Sequence, residues 1–68
     1  MKKYYVNIFA VSNGEHEIHV EDCNCLPEIF NRRYLGRFDI SFEALEEAGK
    51  HYDKINGCKI CSSDCRLN

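Results

Sequence analysis

The chain has 68 residues, 44% of them hydrophobic and 29% charged, with five cysteines and a net charge of −2. That length accommodates one domain, residues 1–68, and a core so small that apolar burial only about balances the entropy of ordering the chain, so a covalent or metal staple is expected. The balance of charge argues against nucleic acid as a partner, no apolar stretch is long enough to span a bilayer, and the even spread of large apolar residues argues against disorder. Met1-Lys2-Lys3 leads into a segment interrupted by Asn7 with no small-residue cleavage site, so a cytoplasmic protein with no membrane association is expected. Thiols stay reduced there, and clustered cysteines serve metals more readily than disulfides.

Residues 4–10 alternate Tyr4, Val6, Ile8 with Tyr5, Asn7, Phe9, the period of a first strand. Asn13-Gly14 is the pair best suited to a two-residue type I′ turn, which predicts a hairpin return through residues 16–20, with His16, Ile18 and Val20 on one face and Glu17 and His19 on the other. Residues 24–31 contain Pro27 and read as a loop or one short helical turn; residues 33–38 resume strand composition, with Gly36 as a bulge or close approach. Ser41 is placed to cap a helix running to about Tyr52, with Ile40 stapled on Leu45, a buried stripe of Phe42, Leu45, Ala48 and Tyr52, and a Glu46–Lys50 pair outside. Residues 53–57 read as a turn, and the 61–65 spacing allows a last helical turn. The fold class expected is α+β: a small antiparallel hairpin or meander of about three strands packed on one helix, followed by a C-terminal cysteine knuckle.

The chemistry lies in the cysteines. His19-x-x-x-Cys23 and Cys58-x-x-Cys61 are two short knuckles of soft donors separated by thirty-four residues, and zinc binds neutral imidazole and thiolate in a closed tetrahedron. Four residues of straight strand would hold His19 and Cys23 about 13 Å apart, so the chain must turn at Glu21-Asp22 for both to reach one ion. His19, Cys23, Cys58 and Cys61 are the expected ligands of a structural zinc, with Cys65 as an alternative to His19. Disulfide use and free thiols are the competing readings. Cys25, next to Leu26, is read as a spare, buried apolar side chain, while His16 and His51 are read as structural.

The order His19-x-x-x-Cys23, Asn31, a strand ending at Phe38, a helix with Ala44 and Ala48, and Cys58-x-x-Cys61 resembles the metal-binding domain at the N-terminus of the Ada methyl-transfer repair protein, over about residues 13–61. The opening Tyr4-Tyr5-Val6-Asn7, the stretch from Ser12 to His19 and the closing Gly57-Cys58-x-x-Cys61-x-x-x-Cys65 are also similar to a family of short bacterial proteins without an assigned activity. The Ada-type resemblance implies a β-meander with helices around one zinc. Ada-type repair uses four cysteines, one of which accepts a methyl group from a DNA phosphotriester; here His19 takes the first ligand place, the turn after the helix is longer and no basic surface accompanies it.

These readings give a non-enzymatic structural zinc module that presents a surface to a protein partner. The alternatives are a thiol redox protein or sensor using Cys58 and Cys61, with Lys59 lowering a thiol pKa and Cys65 resolving, or a weak Ada-like DNA binder. No glycine-rich phosphate loop, nucleophile elbow or recognisable carboxylate pair is present in the sequence.

Overall fold

A computed structural model describes residues 1–66. Four strands, β1 (Lys2–Asn7), β2 (His16–Val20), β3 (Arg32–Phe38) and β4 (Ile55–Gly57), form one sheet in the order β3-β1-β2-β4, and one helix, α1 (Ser41–Ala48), packs against it. β1 pairs antiparallel with both β2 and β3, whereas β4 pairs parallel with β2. The α+β class holds, with four strands where three were expected.

The extra strand comes from residues 53–57, which read as a turn. The connection β3–α1–β4 is a crossover: the helix carries the chain across the sheet from one outer strand to the other, so β4 emerges running the same way as β2. Ile55, Asn56 and Gly57 then lie opposite His16, Glu17 and Ile18.

Alternation decides which side chains form the core. Tyr4 and Val6 of β1 and Ile18 and Val20 of β2 are buried, and meet Ala44, Leu45 and Ala48 of α1 together with Cys65. Small alanines let the short helix lie close to the sheet, so the buried stripe is Ser41, Ala44, Leu45 and Ala48, and Phe42 and Ile40 point outward instead of packing inside. Ser41 is therefore not a cap: its Oγ donates to Asp64 Oδ1 at 2.6 Å, and Ile40 holds the cap position without a side-chain bond. The helix stops at Ala48, four residues earlier than expected, because Gly49 and the turn after it release Tyr52 to stack on His16 at 3.9 Å. Glu47, not Glu46, holds Lys50, at 3.2 Å.

The first hairpin also differs from expectation. β1 ends at Asn7, Phe9 is exposed, and only Gly14 takes a positive φ, so the loop is no type I′ turn; Asn13 instead accepts the Glu15 N–H through its side chain. Gly36 does mark a bulge: Tyr4 lies opposite Gly36 but Tyr5 opposite Tyr34, leaving Leu35 as the extra residue, and Gly36 has φ +134°. A single 3₁₀ turn, Ile29–Asn31, fills the loop before β3, and another, Ser63–Cys65, closes the described chain.

Gly57 is the most closely approached of the four glycines, since a Cβ there would overlap the Ser62 carbonyl oxygen and lie 2.6 Å from Cys65 Sγ. Gly57→Ala is expected to lower stability by about 2–3 kcal/mol through overpacking. Gly14→Ala, strained only by its positive φ and facing nothing closer than 3.7 Å, is expected to cost about 1 kcal/mol. Urea denaturation of both variants beside the parent checks the order.

Candidate metal centre

Parallel pairing brings the two knuckles to one place. β2 and β4 run side by side in the same direction, so the residues that follow them leave the same end of the sheet, and the Cys58 N–H continues the ladder by donating to the Ile18 carbonyl at 3.1 Å. On the β2 side the chain turns at Glu21-Asp22, as required, with the Cys23 N–H donating to the Val20 carbonyl at 3.1 Å. On the other side a tight turn follows Cys58, closed by the Ser62 N–H on the Cys58 carbonyl at 3.0 Å. His19, Cys23, Cys58 and Cys61 thus present four donor atoms that all lie within 4.8 Å of one another.

The spacing suits an ion. Cys23 Sγ and Cys58 Sγ are 3.8 Å apart, far beyond a disulfide bond, and this equals the edge, about 3.8 Å, of a tetrahedron with metal–sulfur bonds of about 2.3 Å. All five cysteines are free thiols.

Each of the three sulfurs already accepts a backbone N–H: Cys23 from Cys25, Cys58 from Ile60 and Cys61 from Val20, all at 3.4 Å. Such donors stabilise thiolate charge at a fixed point. His19 is 3% exposed, and its Nδ1 is buried with no hydrogen-bond partner among the described residues, an arrangement that costs about 1–3 kcal/mol unless another group takes up the nitrogen. Burial drives the His19 pKa below its ordinary 6.5, against the opposing pull of Glu17, so the ring is neutral at pH 7 and offers a lone pair.

Burial also sets the thiols. It pushes Cys61 up to about 12 and raises Cys23, so both are protonated at neutral pH without a cation. At Cys58 burial acts in the same direction but is outweighed by the amides of Cys61 and Ile60 and the neighbouring thiols, which hold it below its ordinary value.

The other expected candidates lie outside the cluster. Cys65 is buried in the core, 1% exposed, with its Sγ donating to the Ser62 carbonyl at 3.4 Å, and it belongs to packing rather than to the four donors. Cys25, expected to be buried, is exposed: the turn through residues 23–26 commits the Cys23 sulfur to the site and turns the Cys25 side chain outward. His16 is half-buried, its Nδ1 2.9 Å from the Asn7 carbonyl, and His51 lies 3.6 Å from Glu47. What the sequence reading missed is the backbone: Val20, Cys25 and Ile60 support the sulfurs through amides that every residue type carries.

No family model, curated protein or solved structure matches the chain.

Because His19 is neutral at pH 7 and the thiols are mostly protonated, uptake of Zn²⁺ should release about three protons per ion, approaching two to the extent that Cys58 is already ionised. Apparent affinity should then fall by roughly two to three orders of magnitude per pH unit just below neutrality. Calorimetric titration in buffers of different ionisation enthalpy measures the count directly.

Proposed function

We propose that His19, Cys23, Cys58 and Cys61 hold one structural zinc ion and that the domain is a non-enzymatic module presenting a surface to a protein partner. The observation that carries this proposal is the preorganised donor set, in which three sulfurs already receive amides and the buried His19 Nδ1 has no hydrogen-bond partner among the described residues. One nitrogen and three sulfurs suit a borderline-soft ion such as zinc better than the oxygen-preferring magnesium or calcium. Four protein donors complete a tetrahedron and reserve no position for water or substrate, which favours a structural over a catalytic role. The order of the donors along the chain is also the feature behind the Ada-type resemblance.

Zinc would join the ends of β2 and β4, beside the apolar cluster on which Cys23 and Cys61 pack. Structural zinc contributes about 10–16 kcal/mol of apparent folding free energy in small domains, several times what this core can supply as a net margin. The thiol redox alternative has less support, since Cys58, the cysteine held below its ordinary pKa, is 3% exposed.

Elemental analysis of the purified protein should give one zinc per chain, and a chelator should abolish the folded circular dichroism signal. Cobalt substitution should give strong thiolate charge-transfer bands that Cys58→Ser or Cys23→Ser weakens and Cys25→Ser leaves intact. A chain that remains fully folded with no metal, or reacts rapidly with thiol reagents in the presence of zinc, would overturn the assignment.

A further inference from the structure

Net charge conceals a sharp division of charge within the sheet. β1 and β3 carry Lys2, Lys3, Arg32, Arg33 and Arg37 and no acidic residue, whereas β2, β4 and α1 carry Glu17, Glu43, Glu46 and Glu47 and no lysine or arginine. The cationic half ends in β3, the outer strand of the sheet. Among the described residues no hydrogen bond from outside the sheet reaches residues 33–37, so the outer polar groups of that backbone, on either side of the Leu35 bulge, have no partner there. The opposite edge differs: the Gly57 carbonyl of β4 accepts from Arg66 at 2.6 Å, and the Arg66 guanidinium also meets Glu17 at 3.3 Å.

Apolar side chains stand at the start of the open edge. Ile29 and Phe30 of the 3₁₀ turn are 65% and 88% exposed, and the turn is tied to the end of β1 by the Ile8 N–H on the Asn31 carbonyl at 3.0 Å. We infer that the outer edge of β3 docks an extended acidic segment of a protein partner, which adds to the sheet as a fifth strand with carboxylates on both of its faces, since the bulge at Leu35 puts Arg33 on the face of Val6 and Arg37 on the face of Lys3, and with an apolar side chain against Ile29 and Phe30. This inference rests on the proposed role as an interaction module and names its surface.

Charge complementarity selects this occupant. A second copy of the chain pairing antiparallel across the same edge would bring Arg32 and Arg33 toward the other copy's Arg37, and like charges facing across a ladder repel. Single-stranded nucleic acid would need a run of free ring faces along the cations; exposed Phe9 and Phe30 precede the edge, and along it the Arg32 guanidinium covers Tyr5 at 4.7 Å while the Tyr5 and Tyr34 rings pack on each other at 5.3 Å and 54°. An acidic peptide needs neither ring, only the cations and the backbone edge.

The test uses the zinc-loaded chain, isotopically labelled for amide NMR, and a ten-residue peptide repeating Glu-Glu-Val, which puts glutamates on both faces of a strand, blocked at both ends. Amide shifts confined to β3, β1 and the Ile29–Asn31 turn are expected, with affinity falling at least about tenfold for the double variant Arg33→Glu, Arg37→Glu. N-methylation of alternate peptide amides, which leaves its charge intact, should weaken binding by at least about tenfold if the peptide pairs as a strand. No shifts at millimolar peptide, equal binding of the lysine–valine analogue, indifference to N-methylation, or tighter binding of a ten-nucleotide oligothymidylate at β1 and β3 would each overturn the docking site. Zinc content and spectral dispersion of the same sample separate the two proposals. A folded chain with one zinc and no peptide response overturns the docking site alone, and a folded, metal-free chain that takes the peptide on β3 overturns the zinc assignment while supporting the edge.

Discussion

Parallel pairing of three residues, Ile55, Asn56 and Gly57, with His16, Glu17 and Ile18 is the constraint on which the rest depends. Strands that run the same way release their following residues at the same end of a sheet. Had β4 run antiparallel to β2, Cys58 and Cys61 would have left the sheet a strand length away from Cys23. The parallel direction follows from the crossover, since β3 and β4 both run opposite to β1 and α1 must carry the chain back between them. The fold thereby turns thirty-four intervening residues into a contact of 3.8 Å between two sulfurs.

So short a strand is held by close approach rather than by strand propensity. Gly57 lies where any side chain would strike the Ser62 carbonyl and the Cys65 sulfur, and the Asn56 side chain both donates to Glu15 at 3.0 Å and accepts the Gly57 N–H at 2.9 Å. The same closeness lets Cys65, which is not one of the four donors, act as a core residue beside Val6 and Ile18. The tail is tied down further by Ser41 on Asp64 and by Arg66 on Glu17 and the Gly57 carbonyl. Cys23 and Cys61, partly buried, pack against the apolar cluster, so the donor set is continuous with the core.

The parts legible in the sequence were those with a local signature. Alternation located β1, β2 and β3 to within a few residues, Gly36 announced its bulge, and the need for a turn at Glu21-Asp22 followed from strand rise alone. The spacing of His19, Cys23, Cys58 and Cys61 picked out the four side chains that come together. β4 was not legible because Asn56 and Gly57 are poor strand formers and their extended conformation is imposed by tertiary neighbours. Asn13-Gly14 misled for a related reason: the turn signal was correct as chemistry, but the Asn13 side chain spends its oxygen on the Glu15 N–H within a longer loop. Phe42 misled because a helix this short is positioned by how closely it can approach, and Ala44 and Ala48 allow a closer approach than an aromatic ring.

Averaged charge was the least informative property. At −2 the chain looks nearly neutral, yet the order of the strands gathers five cations on β1 and β3, while β2 and α1 carry four carboxylates and no lysine or arginine. The same crossover that joins the knuckles at the β2–β4 end leaves β3 as the open outer strand at the opposite edge. Held shut at one side and unpaired at the other, the sheet keeps the proposed zinc and the cationic edge apart, with β1 between them. A charge placed on β3 alters what approaches that edge without touching the donor set, so a single small domain can vary its outer strand while its clamp stays the same.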